Sequence, residues 1–193
     1  MLAQMASSVE VTKDRGVIGV VVGVLVPAAV ATAAFVLWRI SDALLLIGPL
    51  DRAQFGWTVV IPVWLATPIV AAFLWRNLTS AQATQAAIGL NLLIAVIAAW
   101  LLWRSAVDGG QSCQFGSAFS PETRAVQSAW IGLLIGLDPA LAGLVARRFA
   151  VRGAVWRTIA VGIGVGFALF WVAVLFGAAI GNSSLGCNRP PAG

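Results

Sequence analysis

Few residues in this sequence are equipped for chemistry, and one stands apart. Asp138, in Gly136-Leu137-Asp138-Pro139-Ala140, is an acid inside a long apolar run. A carboxyl at the centre of a membrane helix costs about 2.5–3.5 kcal/mol on insertion, so it is expected to face a partner or a water-filled cavity. Asp138 lies nine residues before Arg147, about 13 Å along a helix that rises ~1.5 Å per residue. Thr67, followed by Pro68, lies nine residues before Arg76, and Asn91 sits a short way into a further apolar run from the same side. Depth alone therefore groups Thr67, Asn91 and Asp138 as a polar cluster, with Pro62 and Pro68 kinking the helix beside it. Two roles are open to such a cluster. One is a proton or cation site in a transporter or channel. The other is structural: Asp-Pro reads as the N-cap and first-turn proline of a helix that breaks and restarts. The carboxylate would then hydrogen-bond to Asn91 or to a backbone N–H.

The second candidate pair is Cys113 and Cys187. A bridge between them would close a loop of about 75 residues and contribute about 4 kcal/mol in the chain-entropy account. A redox-active pair is the functional alternative, but such pairs usually occur as Cys-x-x-Cys, and neither cysteine has a close partner in sequence. Two free thiols are the remaining reading. Other chemistry has little to work with. The chain has no His and no Tyr, which removes the commonest side-chain base and metal ligand. It also lacks a His-Glu-x-x-His motif, a phosphate-binding glycine loop and a multi-aspartate motif. No cofactor, no metal site and no catalytic residue is expected. The sequons at Asn77 and Asn182 read as chance occurrences.

The elements that must position these residues follow from composition. The 193 residues are 60% hydrophobic and 10% charged, against roughly 25% charged in an average soluble domain. That is too little charge to clothe a water-soluble fold. The net charge of +5 would suggest a nucleic-acid partner in a soluble protein, but here the basic residues sit at the ends of apolar runs, so no nucleic acid is expected. Five runs reach the ~20 residues that a spanning helix needs: 16–38, 57–75, 86–103, 125–146 and 158–181. The fold class expected is all-α, one bundle of five transmembrane helices with the lipid bilayer as its solvent. Ser120-Pro121-Glu122 and the capping-box spacing of Thr79 to Gln82 mark helix starts. Residues 149–157 are left open between a loop and a short interfacial helix.

Seven of the twelve Lys and Arg residues fall on the side that holds Lys13, Arg15, Arg76, Arg147, Arg148, Arg152 and Arg157. The positive-inside rule then puts the N-terminus in the cytoplasm and the C-terminus outside, in a plasma (cytoplasmic) membrane. That topology leaves both cysteines outside, where disulfides persist. Trp38, Trp57 and Trp103 are expected at the outer interface and Trp75 and Trp156 at the inner one, with Trp64, Trp130 and Trp171 packed deeper between helices. Residues 40–50 read as a short apolar outer segment, interfacial or re-entrant, ending at Gly48-Pro49, and 104–124 as an outer loop. The pairs Gly19/Gly23, Gly132/Gly136, Gly162/Gly166 and Gly177/Gly181 have the small-xxx-small spacing of close helix contacts, either within the chain or against another subunit. With no catalytic constellation, the leading expectation is a non-catalytic subunit or interaction partner in a membrane complex, with a membrane-protein partner or a second copy of itself. The alternative is a small-solute, proton or ion transporter or channel that uses Asp138.

Overall fold

A computed structural model describes residues 2–45, 52–108 and 121–184. These form α1 (Leu2–Leu45), a single turn α2 (Arg52–Phe55), a π-helical turn Gly56–Val60, α3 (Ile61–Trp75), α4 (Ser80–Asp108), α5 (Pro121–Ala150) and α6 (Val155–Ser184). Cys113, Cys187 and most of the outer loop lie outside the described residues. Five helices are long and apolar enough to cross a membrane: Gly16–Trp38, Gly56–Trp75, Ser80–Leu101, Ser128–Ala150 and Val155–Ala173. The first coincides with the run read from the sequence, and the other four overlap theirs.

The packing is inverted relative to a water-soluble core. The buried apolar residues are mostly alanines, while Val17, Ile18, Val96, Trp100 and Leu175 face outward. In hydrocarbon, large side chains gain nothing by leaving the solvent. Helices instead associate where small residues let their backbones approach. α5 packs most extensively on α4, then on α6 and α3, while α1 packs on α3 and α4. The result is a four-helix core of α1, α3, α4 and α5, with α6 laid against the α3 and α5 side. Three of the glycine pairs serve these contacts. Gly19 and Gly23 of α1 face Leu78 and Trp75, Gly132 and Gly136 of α5 face the α4 backbone, and Gly162 and Gly166 of α6 face Ile69, Leu65 and Pro68 of α3.

Local chemistry accounts for the helix ends. Thr79 and Gln82 form the expected capping box: the Gln82 N–H donates to Thr79 Oγ1 and the Thr79 N–H donates to Gln82 Oε1, so two orphan donors at the start of α4 are satisfied. Residues 149–157 are neither a long loop nor a separate helix. α5 ends in a Schellman turn, in which the Ala154 N–H reaches the Phe149 carbonyl and the Gly153 N–H that of Ala150. Gly153 takes φ +72°, the left-handed conformation this cap requires. At the same end of the bundle, Arg147 donates through Nε to the Trp75 carbonyl at 2.7 Å and through its guanidinium to the Leu78 carbonyl. It caps the C-terminus of α3, where a positive charge meets the negative end of the helix dipole. Gly16 lies against Gln82 here too. The Gly16 end of the apolar stretch of α1, the α3–α4 turn and the α5–α6 turn thus share one end of the bundle.

Two expectations about chain breaks are corrected. α1 continues past Trp38 to Leu45, so residues 40–45 extend the first helix rather than forming a separate segment. No glycine or proline occurs between Trp38 and Gly48, and residues 46–51 are outside the described residues. Likewise α5 is unbroken at Asp138-Pro139, and Pro139 is inside the helix. A proline removes one i→i−4 hydrogen bond, which neighbouring helices can make up within a bundle. Ahead of Pro62 the adjustment is a π turn, in which the Ile61 N–H donates to the Gly56 carbonyl. Such local re-spacing is a known way to accommodate a membrane-helix proline.

Candidate functional site

α3 is the helix around which the polar interior is organised. Its Trp64, Thr67, Pro68, Ala71, Ala72 and Trp75 are all buried, at spacings of three and four that define one broad face. Asp138 of α5 meets this face and is 4% exposed. The Trp64 indole N–H donates to Asp138 Oδ2 at 2.9 Å, and the Trp64 ring stacks edge-on against Phe35 of α1 at 5.4 Å. The partner of the carboxyl is thus an indole. It is neither Asn91 nor a backbone N–H, as the sequence had suggested. The second oxygen, Oδ1, is buried without a hydrogen-bond partner. It points toward α6, where a methyl group on Gly166 would lie 3.7 Å away.

Asn91 is placed elsewhere. A methyl group on Gly136 would run into the Asn91 carbonyl oxygen and approach its Oδ1 to 2.6 Å, so Asn91 sits over Gly136 at the α4–α5 contact. Gly136 and Asp138 are two residues apart, about 200° around a helix of 3.6 residues per turn. The two face different neighbours. Thr67 is fully buried on the α3 face, and its hydroxyl has no partner. Thr32 and Thr158, by contrast, donate to the carbonyl four residues back. The three residues singled out by depth do not hydrogen-bond to one another. They are nonetheless the three whose buried side-chain oxygens lack a partner among the described residues. Each such atom is costly where no water competes, by about 1–3 kcal/mol. No group of three His, Cys, Asp or Glu side chains that could hold a metal ion occurs among the described residues.

Trp64 is the functional-site residue that depth reasoning did not connect to Asp138. Its signal was present, since a tryptophan in mid-span rather than at an interface needs a buried acceptor for its N–H. Trp75 lies at the end of α3 capped by Arg147, but not on the bundle surface. It was expected at the inner interface, yet it is fully buried, wedged between Gly23 of α1 and Gly143 of α5. Its indole N–H donates to the Gly23 carbonyl at 2.8 Å. Pro27 explains the need: the residue four positions after Gly23 has no N–H to give, and Trp75 supplies the missing donor. Trp130, expected between helices, is instead 65% exposed. Trp171 is partly exposed within an aromatic group with Trp57, Phe167 and Phe170.

An all-helical bundle with five membrane-length apolar helices and alanine-lined contacts is the make-up of a multi-pass membrane protein. Beyond that class, no family profile, no curated protein and no solved structure matches the chain.

The Asp138–Trp64 contact makes a direct prediction. Asp138→Asn keeps an acceptor oxygen for the indole and should leave thermal stability within about 1 kcal/mol of the parent, whereas Asp138→Leu orphans the buried N–H and should cost about 1–3 kcal/mol. Equal losses for both variants, measured by thermal unfolding in detergent, would show that the hydrogen bond is not what holds the carboxyl.

Proposed function

We propose that the protein is a non-catalytic subunit of a membrane complex and docks to a neighbouring helix through the outer face of α6. The single observation that carries this reading is Gly164. The helical glycines Gly16, Gly19, Gly23, Gly56, Gly89, Gly132, Gly136, Gly143, Gly162 and Gly166 each lie against a neighbouring helix or side chain, whereas a methyl group on Gly164 would meet nothing. Ala160 and Ala168 share its exposed face at intervals of four residues. A glycine in a helix interior costs about 0.5–1 kcal/mol relative to alanine, and a small-xxx-small row lets a second backbone approach closely. The glycine pairs noted in the sequence supply no such evidence, because those described are consumed inside the bundle. In the same proposal the chain lies in the plasma membrane with its N-terminus in the cytoplasm and Cys113 bridged to Cys187 outside. Its support is the basic count, together with the gathering of the α3–α4 and α5–α6 turns at one end of the bundle.

The test is particle mass in gentle detergent, measured by light scattering after purification from the native membrane. The parent should run as more than one chain, Gly164→Ala should retain that mass, and Gly164→Ile should run as a folded single chain. A parent that is already a lone monomer would sink the proposal.

A second reading, passage of a proton, ion or small solute, is favoured by the unpartnered Asp138 Oδ1. Because Asp138→Asn keeps the Trp64 contact, an Asn variant with undiminished function would remove this reading without confounding it with misfolding.

A further inference from the structure

The segment from Arg147 to Arg157 holds four arginines and no acid, and no Asp or Glu follows Asp138 anywhere in the chain. One of the four is committed: Arg147 caps α3 through the Trp75 and Leu78 carbonyls. The other three, Arg148, Arg152 and Arg157, are exposed. The Schellman turn at Gly153 folds them onto one compact tip between α5 and α6. Arg147 also ties this tip to the α3–α4 turn, where Arg76 is exposed. The tip is amphipathic. Trp156 is 83% exposed and Val151 and Val155 of the same segment are exposed, so an indole and apolar surface share the tip with guanidinium groups. Guanidinium forks match phosphate oxygens, and tryptophan favours the headgroup level, where one end of the ring is apolar and the other wet.

We propose that the α5–α6 tip is a binding surface for anionic phospholipid headgroups, with Arg148, Arg152 and Arg157 meeting the phosphates and Trp156 lying among the upper acyl carbons. The inference rests on the chain being a multi-pass membrane protein and is independent of the proposed α6 docking face. Positive charges at a membrane surface each contribute about 1 kcal/mol of attraction to anionic lipid, or about fivefold in affinity.

The test uses the full chain reconstituted in phosphatidylcholine vesicles containing an equal small fraction of either bromine-labelled phosphatidylglycerol or bromine-labelled phosphatidylcholine. Bromine quenches tryptophan on contact, and subtraction of a Trp156→Phe sample isolates the Trp156 signal. Quenching by the phosphatidylglycerol label should exceed that by the phosphatidylcholine label. The preference should fall by about fivefold for each arginine replaced and vanish in Arg148→Gln/Arg152→Gln/Arg157→Gln. Arg147 is left in place so that α3 stays capped. Equal quenching by the two labels in the parent overturns the proposal and needs no variant to fold. Full preference in a folded triple variant overturns it as well. Inorganic phosphate at matched ionic strength should leave the preference intact; its abolition would mark a site for a soluble anion instead of a lipid surface.

Discussion

Gly136→Ala and Gly132→Ala are each expected to destabilise the protein by about 1–3 kcal/mol, the cost of forcing an extra methyl into a filled contact. On helix propensity alone the sign should be the reverse, since alanine is favoured over glycine by about 0.5–1 kcal/mol. The geometry decides between the two effects. A methyl on Gly132 would sit 2.5 Å from the Ala95 carbonyl oxygen, and one on Gly136 would overlap the Asn91 carbonyl oxygen. These are backbone atoms, so relief requires the whole of α4 to move away from α5, across the most extensive helix contact in the molecule. Gly162→Ala should be milder, because its nearest neighbour is Ile69 Cγ1 at 3.1 Å, which can turn aside. Gly164→Ala meets open space and should be neutral or stabilising within one chain. Unfolding titrations followed by circular dichroism would rank the four. If Gly132→Ala and Gly136→Ala behaved like Gly164→Ala, the α4–α5 contact would not be as close as described.

The second large effect is a coupling between Trp75 and Pro27, two residues that do not bond to each other. Trp75→Phe removes the donor to the Gly23 carbonyl, which Pro27 has already deprived of its helical N–H. In the parent background the loss should be about 1–2 kcal/mol, the upper part of the range for membrane hydrogen bonds, which average about 0.6 kcal/mol. In a Pro27→Ala background the N–H of residue 27 can reach the Gly23 carbonyl, and the same Trp75→Phe change should cost about 1 kcal/mol less. A double-mutant cycle isolates this term from the packing lost in each single variant. Additive effects would mean that the indole bond is incidental and that Trp75 matters only as bulk between Gly23 and Gly143.

Much of the architecture was legible because it is written in local chemistry. The run 16–38 reappears as a membrane-length stretch of α1 with the same limits, since about six turns of apolar residues leave no other way to satisfy the backbone in lipid. The Thr79–Gln82 capping box was readable for the same reason: donor and acceptor lie three residues apart. Asp138-Pro139 was misread because a cap signal competes with tertiary support. Next to α3, the helix keeps going and the carboxyl takes an indole instead of a backbone N–H. The polar triad was half legible. Depth singled out three residues whose buried side-chain oxygens lack a partner among the described residues, but depth has no azimuth, so it could not tell that Asn91 and Asp138 face different neighbours.

Composition, run length and the placement of charge are properties of the chain alone. They suffice for an all-helical bundle with five membrane-length helices and for a single acid at depth, because the cost of burying charge and free backbone groups depends little on which helices are neighbours. Which residue answers that acid depends on how the helices are rotated and paired. Trp64 answers Asp138 and Trp75 answers the carbonyl freed by Pro27, while Gly164 faces outward because α6 turns Gly162 and Gly166 toward α3. The two hydrogen bonds join residues 74 and 52 positions apart, set by the close fit of small side chains across helices, and no local spacing encodes them.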